Sequence, residues 1–174
     1  MDRKNVIGIL VVLCFTGLSL AACVSAQLQV SYETTTPVSA LTSTPQGKIG
    51  EMVRGGDVSI TVIQVERMTQ VGTARLPQPG TVFVAIELIV ESQARAGVYI
   101  NPLFARLQDD ASNVHNISFV GKDPFLETRV NLPKGEKVQG WVTFEVPESA
   151  KGLILIYQAV GSNPDAGVRI DLGM

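Results

Sequence analysis

From Lys48 onward, apolar residues recur in short alternating runs separated by Gly, Pro and Asn clusters, and no long segment keeps helical spacing. The pattern predicts an all-β domain. Val58, Ile60 and Val62 alternate with Ser59 and Thr61, but Ile63 and Val65 continue in the opposite phase, so a bulge or bend is expected near residue 62. Val82, Val84, Ile86, Leu88 and Val90 form the longest clean row. Their neighbours Phe83, Ala85 and Ile89 are also apolar, which marks this strand as central and covered on both faces. Further strands are expected over 99–108, 114–120, 138–146, 153–159 and 168–172. A total of roughly seven or eight strands with turn signals between them fits a β-sandwich. Asp109-Asp110-Ala111-Ser112-Asn113 reads as a hairpin turn, and 121–136 as a longer crossing loop with room for one helical turn.

The N-terminal part follows another pattern. A short basic start, Met1 to Lys4, precedes an apolar run from Val6 to Leu20, the order of a secretory signal. The run ends in small residues and a cysteine, Leu20-Ala21-Ala22-Cys23. This ending resembles the lipobox of bacterial lipoproteins. The resemblance implies recognition of Leu20, Ala21 and Ala22, cleavage between Ala22 and Cys23, and a diacylglycerol on the Cys23 sulfur. Acylation of the new amine would bring the count to two or three chains. Each buried CH₂ contributes about 0.8 kcal/mol, so two chains suffice for stable anchoring.

Two alternatives remain at this point: an uncleaved helix and ordinary secretion. The helix would be short, because Val6 to Ala22 is 17 residues and contains Thr16, Gly17 and Ser19. Cys14 follows Leu13, too bulky for a cleavage site. From Val24 to Gly47 the chain is rich in Ser, Thr, Gln and Pro, with Glu33 its only charge. Such a segment cannot bury enough to order itself and reads as a flexible stalk, spanning roughly 25 to 30 Å as a coil. The expected organisation is a signal peptide over 1–22, a linker over 23–47 carrying lipidated Cys23, and a β-sandwich domain over 48–174.

Composition narrows the chemistry. The chain has 174 residues, 45% of them apolar, and a net charge of -2 without runs of either sign. Removing 1–22 takes away Asp2, Arg3 and Lys4 and leaves 12 basic against 15 acidic residues, a mildly acidic surface with no nucleic-acid groove. Both cysteines lie in the first 23 residues, so the domain holds no disulfide and no thiolate metal site.

Three stretches carry a family resemblance: Gln78-Pro79-Gly80-Thr81-Val82-Phe83-Val84; Asn101-Pro102-Leu103-Phe104 with Leu107 to Asp110; and Leu132-Pro133-Lys134-Gly135 leading to Gly140-Trp141-Val142-Thr143-Phe144-Glu145-Val146-Pro147. Together they are similar to bacterial immunoglobulin-like lipoprotein domains of unknown function, related in fold to a secreted mycobacterial immunogenic protein. Glu91-Ser92 departs from that pattern, where such domains often carry an Asn. The resemblance implies an immunoglobulin-like sandwich and a cell-envelope location, and it supplies no catalytic residues.

No Gly-x-Ser-x-Gly elbow, phosphate loop or His-Glu-x-x-His is present, and a serine nucleophile would have only His115 to activate it, so no enzyme is expected. His115 shares a strand face with Ile117 and Phe119 and is expected to be structural. The oxygens of Asp109, Asp110, Ser112 and Asn113 lack the spacing of a calcium loop. Asn116-Ile117-Ser118 matches a glycosylation pattern that a bacterial address makes accidental. No metal or cofactor is expected.

Val142, Phe144 and Val146 mark the core face of their strand, which puts Trp141 on the other face with Gln139, Thr143 and Glu145. Exposed there, Trp141 would be a binding anchor; covered by a loop, it would not. The loops 68–80 and 121–136 offer further contacts through Arg75, Leu76, Phe125 and Arg129. The expected function is a membrane-anchored, non-enzymatic interaction module for another envelope or extracellular protein. The alternative is a carrier of a small molecule or lipid in a pocket between the sheets.

Overall fold

The computed structural model describes residues 46–72, 75–158 and 167–174. Its strands, in chain order, are β1 (Gly47–Lys48), β2 (Met52–Gly55), β3 (Val58–Met68), β4 (Thr81–Ser92), β5 (Val98–Ile100), β6 (Ala105–Gln108), β7 (Val114–Asn116), β8 (Arg129–Leu132), β9 (Lys137–Pro147), β10 (Ile154–Tyr157) and β11 (Val168–Asp171). One sheet runs β2-β3-β4-β9 and is antiparallel throughout. The other runs β1-β11-β10-β6-β7, with β1 parallel to β11, and β5 and β8 form a separate ribbon.

The two-residue period of a strand sends alternate side chains to one face, and the sheets use it to build one core. Val84, Ile86, Leu88 and Val90 of β4 and Val142, Phe144 and Val146 of β9 share a buried cluster with Leu107, Leu155, Val168 and Ile170 of the second sheet. Each such side chain stabilises the domain by about 1.5–3 kcal/mol through removal from water. The fold is the all-β sandwich that the pattern predicts.

The bulge lies where the phase changes: the β3–β4 register shifts between Val62 and Gln64, leaving Ile63 exposed while Val65 returns to the core. β4 is central, between β3 and β9, and Phe83 and Ala85 on its outer face are buried.

Three expectations need correction. The stretch 99–108 is not one strand, because a 3-10 turn, Pro102–Phe104, separates β5 from β6. Asn101 accepts a hydrogen bond from Leu103 N at 2.9 Å through its side chain, and Pro102 has no N–H to donate, so local capping overrides alternation. The stretch 114–120 ends as a strand at Asn116, after which Ile117 bridges to Phe144 in the opposite sheet. Within 121–136 the chain forms β8 beside β5 rather than a helical turn.

The sheet also begins ahead of Lys48. Gln46 N donates to Arg169 O at 2.8 Å and Gly47 pairs with Ile170. A Cβ at position 47 would lie 2.4 Å from Val53 Cγ2, so only glycine fits this crossing between sheets. Leu20, Ala21, Ala22 and Cys23 lie outside the described residues, as does the stalk up to residue 45 and the expected strand end at Ala159.

Candidate functional site

The outer face of β9 carries a strap. Trp141 and Thr143 pair with Glu87 and Ala85 of β4. The strap, residues 117–126, supplies partners on their free side. Ser118 N donates to Thr143 O at 2.7 Å, Trp141 N to Pro124 O at 2.8 Å, and Leu126 N to Trp141 O at 2.9 Å. Trp141 is therefore on the face its spacing predicts but only 5% exposed, and Thr143 beside it is buried. As a free binding anchor it is ruled out by this cover.

Lys122 ties the strap down. Its Nζ sits 3.9 Å from the Trp141 ring centroid and 2.6 Å from the Glu66 carboxylate on β3. The cation–π contact contributes about 0.5–2 kcal/mol, whereas the ion pair, about a third exposed, adds little.

The strap also needs Gly140, where a Cβ would stand 2.6 Å from Leu126 Cα and 2.7 Å from Leu126 N. Those are backbone atoms, which cannot rotate away. Gly140→Ala is expected to destabilise the domain by about 1–3 kcal/mol, read as a lower urea midpoint with the slope unchanged.

The apex of the strap stands clear of the sheet, with Phe119 84% exposed. Between it and the β3–β4 loop opens a cleft of about 400 Å³, with Val71, Gly72 and Arg75 on one side and Phe119, Val120, Gly121 and Asp123 on the other. The β3–β4 loop is fixed at both ends. Val71 and Arg75 exchange backbone hydrogen bonds of 2.9 and 3.3 Å, and the Glu145 carboxylate accepts from Gln78 N and Thr81 Oγ1, each at 2.6 Å. Leu76, next to Arg75, is 71% exposed.

Of the sequence candidates, Arg75 lines this cleft. Phe125, itself part of the strap, is half-buried near Gly121, and Arg129 sits on β8 in an ion pair with Glu127. Phe119 and Asp123 are cleft residues that the alternation did not mark.

The β6–β7 hairpin forms a separate polar knot. Asp109 accepts hydrogen bonds from Asn113 N at 2.8 Å and Asn113 Nδ2 at 3.0 Å, and its Oδ2 lies 3.0 Å from His115 Nε2. Ser112 takes φ 65° to close the turn. Burial would raise the Asp109 pKa, but the bonds from Asn113 and His115 outweigh it and hold the carboxyl below its ordinary value. A depressed folded-state pKa contributes stability above the unfolded value, lost as pH falls through the folded one. The stability difference between wild type and Asp109→Ala in urea unfolding should therefore narrow below about pH 4. Among the described residues no group of three or more His, Cys, Asp or Glu is placed to hold a metal.

The profile of a domain of unknown function, DUF4352, matches residues 47–166. This chain belongs to the DUF4352 family. The DUF4352 match begins at Gly47, the residue whose pairing opens the sheet.

Solved structures share the DUF4352 sandwich at low identity. The protein yjhA of Bacillus subtilis superposes with a TM-score of 0.56 at 22% identity, over 72% of this chain and 99% of its own. A secreted protein of Mycobacterium tuberculosis, MPT63, gives 0.53 at 15%, over 76% of this chain and 99% of its own. A third, ycdA of Bacillus subtilis, is assigned as a lipoprotein and gives 0.59 at 10% over 70% of this chain. This chain spans 38% of ycdA. Such identities establish the fold alone. No curated protein matches the chain at a significant level.

Proposed function

We propose that this DUF4352 protein is a bacterial lipoprotein, held outside the cytoplasmic membrane by acylated Cys23, whose sandwich is a non-enzymatic protein-interaction module. The cleft between the β3–β4 loop and the strap carries the binding half of this reading. Phe119, a large apolar ring at 84% exposure, lines it, and Leu76, which follows Arg75 in the chain, is 71% exposed. Exposed aromatic and aliphatic groups beside an arginine are the composition of interaction surfaces. The lipobox-like Leu20 to Cys23 supports the anchored half, as does the assignment of ycdA.

The carrier alternative would place its ligand between the sheets. There Ile60, Leu88, Leu107, Phe144, Leu155 and Ile170 are fully buried in one cluster, so no observation favours it. The module is tested with a photo-crosslinking residue at position 119 of the full-length protein in its native host, and the same residue at Val130, which is 82% exposed on β8. A defined envelope protein crosslinked from 119 and not from 130 is the expected result. Equal capture from both positions, or none, would overturn it.

A further inference from the structure

We draw no further inference here: the strongest candidate, the edge strand β2, which carries exposed Met52 and lies beside exposed Ile49 and Ile63, is an unpartnered apolar strand edge, and nothing among the described residues shows what covers it.

Discussion

Trp141→Ala is expected to lower the stability of the domain by about 3 kcal/mol, the low end of the range for removing a buried large aromatic, and to lower its thermal midpoint by roughly 10 °C. The indole is 5% exposed on the face covered by residues 117–126, with Lys122 over its ring. Its truncation should open a void that the strap cannot fill, because the strap is held by backbone hydrogen bonds at Ser118, Pro124 and Leu126. Trp141→Phe keeps a ring for Lys122 and should lose about 1 kcal/mol. Circular dichroism in urea measures both. A surface anchor would shift stability by no more than about 0.5 kcal/mol, so a Trp141→Ala midpoint equal to wild type would show that the strap does not bury the ring. Trp141 is the only tryptophan, so wild-type emission reports this one environment and should be blue-shifted in the folded protein.

The same residue shows how far hydropathy reaches. Alternation along β9 puts Trp141 on the outer face with Gln139 and Glu145, and there it lies. What covers that face has no periodicity to read: residues 117–126 include Gly121, Lys122, Asp123 and Pro124, which pattern as a loop anywhere. A sign of the cover was present in Gly140, since a glycine inside an otherwise apolar strand often marks close backbone approach.

Phe119 was missed for a related reason. Counting from His115 through Ile117 gives it an inward parity only while the strand continues, and β7 ends at Asn116, where the chain changes sheets. Parity then no longer applies. Long strands such as β3, β4 and β9 were legible because eleven or twelve residues display the period, whereas β1, β2 and β8, at two to four residues, are fixed by backbone pairing. The cleft is a product of two such loops meeting, a contact that no local pattern records.

Cys23→Ser is expected to produce the largest change of all, in location and not in fold. In a lipoprotein-processing host the wild-type protein should carry the mass of residues 23–174 plus acyl chains and partition into detergent, and the substituted protein should do neither. A single acyl chain binds membranes only marginally, whereas two, at about 0.8 kcal/mol per buried CH₂, hold a protein at the bilayer, so loss of the one acylated sulfur removes most of the attachment. Folding should be indifferent, because among the described residues the two sheets from Gly47 to Asp171 share a core of their own, far along the chain from Cys23. Equal thermal midpoints for the two proteins would separate lost anchoring from lost structure. An unmodified full-length mass in both would indicate an uncleaved helix, and cleavage without acylation would indicate ordinary secretion. In either case the reading of the sandwich as an interaction module would stand, but lipid anchoring at Cys23 would fall.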